Sequence, residues 1–269
     1  MNAVDFSNFI SNRKFPCKFL SKKHFLNASE LYSFCMREKC FIKSLSKDNI
    51  PSGEISQFSE FCRQFGTFYH SYLQGIFGDL KILKGNWKCS KCDNIYNFSY
   101  KPEKCKCGSN NFSYQELSFF DKKYRVSGFI DGLVCKNRLE MTINNEDWID
   151  ELNPDNLSLI EIKTVDSITF ENTKDINFVL SNLSWMWQAN WYMFQLNKND
   201  IEVNSCYFMF LNRDTYDLNF VEVEYDLSIV KDIIQKIEVF WNYYDGNVIP
   251  PLCEKQFCYK NCYFRNKCH

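Results

Sequence analysis

Fourteen cysteines in a chain of 269 residues constrain this sequence more than any other feature. The first residues show no basic segment followed by an apolar stretch and a cleavage site, so we expect no secretory signal. Without export, so many cysteines indicate metal binding in a reducing cytoplasm rather than a disulfide framework. Two groups of cysteines, in 87–118 and 251–269, therefore predict two metal-held modules.

The first group lies in a polar, turn-rich stretch, and its members are Cys89, Cys92, Cys105 and Cys107. Tetrahedral Zn²⁺ takes four ligands, which two short knuckles can supply. The second knuckle is C-x-C rather than the usual C-x-x-C, which crowds two ligands onto one turn. We predict an inserted zinc ribbon with a structural role, since bound Zn²⁺ stabilises a module too small for its own core.

The composition predicts a globular protein with a large core. Hydrophobic residues make up 45% of the chain and aromatic residues 17%, and the formal net charge is −1. This balance argues against a disordered protein but not against nucleic-acid binding, because Lys and Arg can cluster on one face. No apolar run reaches the roughly 18 residues that a membrane-spanning helix needs, so we expect none.

Hydrophobic periodicity divides the remaining chain into helices and strands. The predicted helices are 27–45, 54–83, 181–197 and 227–244. The predicted strands are 124–134, 157–164, 205–211 and 219–225, with a loop or hairpin end at 144–156. In the second helix, apolar residues spaced by three and four predict one buried face: Phe58, Phe61, Phe65, Tyr69, Tyr72 and Ile76. Helices and mixed strands together predict an α/β core with small metal-bound modules attached.

Two predicted strands carry the groups expected of a hydrolase. Asp131 lies between Ile130 and Gly132, and Glu161 and Lys163 are two residues apart. Because residues i and i+2 of a strand point to the same face, this carboxylate and ammonium lie side by side. Two carboxylates can hold Mg²⁺ or Mn²⁺, and the lysine can support charge on a phosphate, which suits phosphodiester hydrolysis. Taken alone, the E-x-K pair is a weak signal and is more often an ordinary surface ion pair.

Three polar residues accompany this pair in the sequence. His70 follows Gly66 by one helical turn, and Gln188 and Tyr192 share a helix face at i and i+4. Each has an ordinary structural interpretation, as a core histidine or as helix surface beside aromatic residues.

In this order the motifs resemble those of the PD-(D/E)xK nucleases, and within them the RecB-like nucleases, including the CRISPR-associated RecB-like exonucleases. The motifs G-x-x-x-H, G-x-x-D, E-x-K and Q-x-x-x-Y cover most of the chain. The Pro of the family name is absent, since Ile130 precedes Asp131. The resemblance implies a restriction-endonuclease-like α/β fold with a mixed central sheet flanked by helices.

The same resemblance implies roles for individual residues. The implied ligands of a catalytic Mg²⁺ or Mn²⁺ are His70, Asp131, Glu161 and the carbonyl of Ile162. Lys163 would be the catalytic lysine, while Gln188 and Tyr192 would position DNA or the active-site network.

The second cysteine group, in the tail, is Cys253, Cys258, Cys262 and Cys268. RecB-like nucleases with an iron–sulfur cluster join the chain ends through one N-terminal and three C-terminal cysteines. By that resemblance the ligands of a 4Fe–4S cluster are Cys35, Cys258, Cys262 and Cys268. The C-x3-C spacing is unusual, so Cys253 or Cys40 stays an alternative ligand, and a second zinc stays an alternative to the cluster. The cysteines expected to be ordinary buried residues are Cys17, Cys62, Cys135 and Cys206.

The predicted organisation has four parts. They are an N-terminal helical part with the first cluster cysteine (1–86), the zinc ribbon (87–118), the catalytic core (119–250) and the iron–sulfur tail (251–269). The expected function is a metal-dependent DNA exonuclease, with endonuclease activity as a further option, in recombination, repair, or phage or CRISPR-related DNA metabolism. We expect it in a bacterial or phage-infected cytoplasm, with DNA and not a membrane as partner. Cleavage polarity, strand preference, action on RNA and oligomeric state stay open.

Two other functions fit parts of the sequence. One is a non-catalytic, metal-stabilised DNA-binding module with a nuclease-like fold, which is disfavoured because every expected catalytic position is filled. The other is a redox or radical enzyme, which is disfavoured because the common type needs three closely spaced cysteines on one loop before a barrel.

Overall fold

The computed structural model describes residues 14–17, 25–44, 53–144, 156–252 and 264, and for 14–17 and 53–59 only the backbone. The first elements are β1 (Lys14–Cys17), β2 (Leu26–Asn27), a 3-10 helix (Ala28–Glu30), α1 (Met36–Ser44), β3 (Gly53–Ser56), α2 (Gln57–Asp79) and β4 (Leu83–Cys89). The middle elements are β5 (Ile95–Tyr100), β6 (Phe112–Gln115), β7 (Leu117–Asp121), β8 (Val126–Ile130), β9 (Gly132–Cys135) and α3 (Lys136–Asn144). The last elements are β10 (Leu157–Val165), α4 (Ser167–Asn172), α5 (Ile176–Ser181), α6 (Leu183–Lys198), β11 (Ser205–Asn212), β12 (Leu218–Glu224) and α7 (Leu227–Asp245).

A seven-stranded mixed sheet forms the centre of the described chain, in the order β12-β11-β10-β9-β4-β5, with β6 also paired to β4. Strands β10 and β11 are parallel, and the other neighbours are antiparallel. A parallel pair needs a crossover connection, which the α4–α6 segment supplies. The predicted α/β fold with a mixed central sheet flanked by helices is confirmed.

Apolar runs place β10 and β11 at the middle of this sheet, where both faces are covered. One core lies where α6 and α7 pack on the sheet and includes Trp191, Phe208 and Phe240. A second core, where α2 and α3 pack, includes Leu73 and Ile160. Since each fully buried large apolar side chain contributes about 1.5–3 kcal/mol, these cores hold β10 rigidly between two helical layers.

The strand predicted over 124–134 is divided at Asp131. Before it, β8 belongs to a three-stranded sheet with β2 and β7, and after it, β9 joins the central sheet. At Gly132 an added Cβ would lie 2.5 Å from Leu83 Cδ1 and 2.9 Å from Ile160 Cγ2. Glycine therefore leaves room for the Leu83 and Ile160 side chains beside β9, and Asp131 is left at the junction of two sheets.

Helix α2 differs from its prediction in the face that it buries. Phe61 and Tyr72, predicted to be buried, are 49% and 55% exposed, whereas Leu73 and Phe77 of another face are buried. The helix packs closely through Gly78, where an added Cβ would lie 2.1 Å from Trp87 Cη2. Periodicity located an aromatic face correctly but could not say which face meets the sheet, because that contact depends on β4. The Phe58 side chain lies outside the described residues.

Other predicted boundaries were partly wrong. Helix 27–45 shortens to α1 plus the 3-10 turn, whereas the short helices α4 and α5 were not predicted. Asp166 and Asp175 begin these two helices, and each side chain accepts a backbone N–H of the first turn. Most of the predicted loop 144–156, and the tail cysteines of the proposed iron–sulfur module, lie outside the described residues. Among the helices that are described, none is long and apolar enough to cross a membrane.

Asp121, at the end of β7, ties the small sheet to α6. Its carboxylate accepts bonds from Gln195 Nε2 at 2.9 Å and Lys198 Nζ at 2.8 Å, and from the backbone N–H groups of Lys123 and Tyr124. Burial alone raises the pKa of Asp121, but these donors favour the charged form and the net shift is downward. The interaction holds in place the helix that carries Gln188 and Tyr192.

We predict that Asp121→Ala lowers the free energy of unfolding by about 2–3 kcal/mol in urea denaturation at neutral pH, because buried donors lose their acceptor. A lowered folded-state pKa contributes stability above the unfolded-state pKa of about 3.9, and this stability is lost as the pH falls through the folded-state value. The difference between the two proteins should therefore shrink below about pH 4. The control Lys198→Ala, with its half-exposed side chain, should cost less than about 1 kcal/mol. Equal stabilities of Asp121→Ala and the native chain would show that the network is not stabilising.

Candidate active site and four-cysteine cluster

The Asp131 side chain accepts a hydrogen bond from β10 just beyond the point where backbone pairing between β9 and β10 ends. Pairing of β9 with β10 ends at Gly132 and Ile160. Two residues further along β10, the Ile162 N–H donates to Asp131 Oδ2 at 2.8 Å. The carboxylate is thus held in one orientation, and its other oxygen is left for a second partner.

His70 and Glu116 meet Asp131 at this point. His70 Nδ1 lies 3.3 Å from Asp131 Oδ1. Gln74, one turn beyond His70 on α2, donates to Glu116 Oε1 at 3.1 Å and to the Asp131 carbonyl at 2.9 Å. One ligand atom from each of His70, Glu116 and Asp131 lies within 4.8 Å of the other two, so the three residues could hold a metal ion.

The electrostatics of this trio favour a cation. Burial raises the pKa of Glu116, and the nearby Asp131 carboxylate raises it further. Burial opposes protonation of His70, but the hydrogen bond and charge of Asp131 raise its pKa overall. Two carboxylates held this close repel each other, and a divalent ion bound between them would remove that repulsion.

Glu161 and Lys163 form a buried pair beside the trio. Lys163 Nζ donates to Glu161 Oε2 at 2.9 Å and to Gln188 Oε1 at 3.0 Å, and Gln188 Nε2 donates to the Tyr192 hydroxyl at 3.1 Å. These bonds bring together the two predicted pairs, Glu161 with Lys163 on the strand and Gln188 with Tyr192 on the helix. Ile160 and Ile162 point to the second core, as predicted.

Burial and the neighbouring charges oppose each other in both members of this pair. Burial raises the pKa of Glu161 to about 7, against the opposing effect of the Lys163 ammonium. Burial acts to lower the pKa of Lys163, but the Glu161 and Asp131 carboxylates outweigh it and the net shift is upward, so the ammonium form is retained. Glu161 is 1% exposed, and its Oε1 is buried with no hydrogen-bond partner in the part of the chain that the structure describes. Such an unsatisfied acceptor is costly unless a cation or donor meets it.

A cavity of about 610 Å³ opens over these groups. Among its lining residues are His70, Glu116, Asp131, Ile162 and Lys163. Glu161 lies beneath this lining, in contact with the lysine. The arrangement presents acidic ligands and one ammonium to the same volume, which is what a metal ion and a phosphate group require together.

Glu116 and Gln74 were missed from the sequence. Gln74 lies four residues after His70, so the two side chains share a helix face, and this spacing could have predicted that Gln74 is near the site. Glu116 follows β6 with no motif around it, and it reaches Asp131 only because β7 turns back along β8. The ligand roles predicted for Glu161 and the Ile162 carbonyl stay predictions.

The four cysteines of the predicted ribbon converge into one cluster. Cys89 Sγ lies 3.7 Å from Cys107 Sγ, and Cys92 Sγ lies 3.5 Å from Cys105 Sγ. Tetrahedral coordination with metal–sulfur bonds of about 2.3 Å gives sulfur–sulfur edges of about 3.8 Å, so the spacing fits one ion. The short C-x-C knuckle is accommodated by Gly108, whose φ of +85° turns the chain and whose N–H donates to the Cys105 carbonyl at 2.8 Å.

The remaining cysteines divide between core and surface. Cys135 and Cys206 are buried, as predicted, but Cys62 is only half-buried and lines the cavity over the candidate active site. Cys35 and Cys40 lie just before and within α1. Their proposed partners Cys253, Cys258, Cys262 and Cys268, and the Cys17 side chain, lie outside the described residues.

Comparisons with known proteins give distant structural likenesses. The chain is similar to an alkaline exonuclease (LHK-Exo) from Laribacter hongkongensis, at 16% identity over 49% of this chain and 59% of that one, less than two thirds of its length, with a TM-score of 0.32. It is similar to LHK-Exo in complex with dAMP, at 15% identity over 85% of this chain and 92% of that one, with a TM-score of 0.43. It is also similar to SSO0001, at 12% identity over 100% of this chain and 96% of that one, with a TM-score of 0.43. No protein-family profile and no curated protein matches the chain.

We predict that Glu116→Gln weakens Mn²⁺ binding by about tenfold or more, because it removes one negative charge from the trio. Titration of the metal-free protein with Mn²⁺, followed by electron paramagnetic resonance, measures this affinity. The matched control is Glu140→Gln. Glu140 lies on α3, outside the trio, and its carboxylate accepts a hydrogen bond from the Tyr207 hydroxyl. An unchanged affinity in Glu116→Gln would remove Glu116 from the ligand set.

We also predict that Cys92→Ser lowers the metal content by one ion per chain, because three thiolates hold the ion far less tightly than four. Elemental analysis of the dialysed protein measures the content. Cys135→Ala, which removes a buried thiol outside the cluster, should keep it. Full metal content in Cys92→Ser would show that the four sulfurs do not bind a common ion.

Proposed function

We propose that this protein is a nuclease of the PD-(D/E)xK type that hydrolyses phosphodiester bonds in DNA with Mg²⁺ or Mn²⁺. The observation that carries the proposal is the convergence of His70, Glu116, Asp131 and Lys163 on one cavity. These residues come from α2, the β6–β7 link, the β8–β9 junction and β10. Ordinary surface charges have no reason to meet in this way from four distant parts of the chain.

The donor set suits a hard divalent ion. Carboxylate oxygens with one imidazole fit Mg²⁺ or Mn²⁺, and the unpartnered Glu161 Oε1 and the Ile162 carbonyl are the further candidate ligands. When bound, such an ion polarises a phosphate oxygen and lowers the pKa of water. His70, Glu116 and Asp131 would hold it, with Gln74 and the Ile162 N–H fixing the orientation of the two carboxylates.

Lys163 would supply positive charge at the phosphate. Its ammonium is held between Glu161 and Gln188, so its position is set before substrate arrives. Because its pKa is raised, it acts as a hydrogen-bond donor and charge and not as a general base. Gln188 and Tyr192 are positioning residues in this scheme, since they reach the cavity through the lysine.

The proposal extends to the two cysteine groups and to the biological setting. We assign Zn²⁺ to the four-thiolate cluster, because its sulfur spacing matches tetrahedral coordination and its role there is structural. The 4Fe–4S cluster of the chain ends, the RecB-like exonuclease activity on DNA ends or single strands, and the cytoplasmic location are proposed from the motifs alone.

We predict that Lys163→Ala reduces DNA cleavage by about 100- to 1000-fold, the effect of removing one preorganised donor to a developing charge. End-labelled single-stranded and duplex DNA, incubated with Mn²⁺ and with or without chelator, measures reaction, direction and metal dependence together. The matched control is Lys174→Ala, which removes a lysine paired with Glu171 on the surface.

Circular dichroism checks that Lys163→Ala stays folded. Cleavage by this variant at the native rate would contradict the proposed role, and a native chain that cleaves neither substrate would contradict the proposed function.

A further inference from the structure

Helix α2 carries a continuous aromatic surface that the catalytic scheme does not use. It consists of Phe61, Phe65, Phe68, Tyr69 and Tyr72 of α2 and Tyr216 of the β11–β12 turn, and is called here the aromatic platform. Phe68 is 63% exposed and Tyr216 57% exposed. Neighbouring rings contact each other along its length, including Phe65–Tyr69 with centroids 4.4 Å apart and Phe68–Tyr72 stacked at 6.2 Å.

Tyr216 is held over this helix by an unusual backbone conformation. Its φ of +66° lies in the left-handed region, which bulky residues rarely adopt. The ring stacks on Tyr69 with centroids 6.0 Å apart and an interplanar angle of 21°. The turn thereby adds a second chain segment to the platform, with its hydroxyphenyl group still open to solvent.

The platform adjoins the candidate active site. On the neighbouring face of α2, Cys62, Gly66 and His70 line the catalytic cavity. A second cavity of about 240 Å³ lies between Phe61, Phe65 and Tyr216. The two cavities share Cys62 and Thr164 in their linings, so a ligand lying along the platform reaches the acidic trio without crossing the protein.

The chemistry of the platform favours nucleobases. Its six side chains are all aromatic, so the platform offers a row of ring faces to a ligand. Aromatic rings stack on the faces of unpaired bases regardless of sequence, but the bases of a duplex are already stacked inside it. Arg213 lines the second cavity beside Asp214 and lies 3.6 Å from Asp166, and it supplies positive charge for the accompanying phosphates.

We propose that the aromatic platform binds single-stranded DNA by base stacking and leads the strand to the catalytic cavity. This inference rests on the proposed nuclease function for its direction, but the binding itself needs no chemistry. DNA ends and single strands are already the proposed substrates, and the platform adds the surface that would hold the unpaired strand.

The test measures binding without cleavage. Fluorescence anisotropy of a labelled oligothymidylate of about 20 nucleotides, and of a duplex of equal length, is followed in EDTA. The full chain is compared with Phe68→Ala and Tyr72→Ala. Both side chains are exposed, so their removal leaves the core unchanged. Tyr72→Phe keeps the ring and serves as the conservative rescue, and Phe120→Ala removes an equally exposed ring on β7.

We expect the native chain to bind the single strand more tightly than the duplex. Each alanine variant should lose about tenfold in single-strand affinity, while Tyr72→Phe and Phe120→Ala keep it. Unchanged affinity in both alanine variants overturns the proposal. So does a native dimer that Phe68→Ala converts to a monomer in light scattering, since the platform would then bind a second copy of the chain.

The same set of proteins separates this inference from the nuclease function. If DNA binding depends on the aromatic rings but the native chain cleaves no DNA, the nuclease function is contradicted and the platform proposal stands. If the native chain cleaves DNA but the alanine variants bind it as tightly, the platform proposal is contradicted and the nuclease function stands.

Discussion

The hydrogen bond from the Ile162 N–H to Asp131 is the interaction on which the candidate site depends. It joins the end of one sheet to the central strand of another, at the place where backbone pairing between β9 and β10 stops. Because one carboxylate oxygen is committed to the backbone, the other faces His70 at a set distance. The glycine that follows allows the strands to approach closely enough for this bond. A side chain thus acts as a structural part of the sheet and as part of the cavity.

Around this junction the fold keeps several ionisable groups out of water, which is costly unless a function compensates it. The Glu161–Lys163 pair is buried under the cavity and leaves one carboxylate oxygen without a partner. Helix α6, which supplies Gln188, is held near its C-terminal end through Asp121. The proposed phosphate-hydrolysing centre would account for all three observations at once, because it needs converging acids, a fixed ammonium and rigid support.

Helix α2 carries parts of two candidate sites on neighbouring faces. One face carries His70 and Gln74 into the acidic trio, and the next exposes the aromatic platform. Among the side chains of α2 that the structure describes, the core residues Leu73 and Phe77 lie in its C-terminal part. A helix anchored at one end and exposed along the other can present rings to a nucleic acid without loss of core packing.

The sequence by itself determined what depends on short spacing. The β10 face shared by Glu161 and Lys163, the α6 face shared by Gln188 and Tyr192, the four-cysteine cluster and most of the later strands and helices follow from local periodicity and ligand spacing. Tertiary structure alone decided what depends on contacts between distant segments. It brought Glu116 to Asp131, divided the predicted strand 124–134 between two sheets, and turned the aromatic face of α2 to solvent. Periodicity reports that a face is apolar, but only the packing of the other elements determines whether that face is covered.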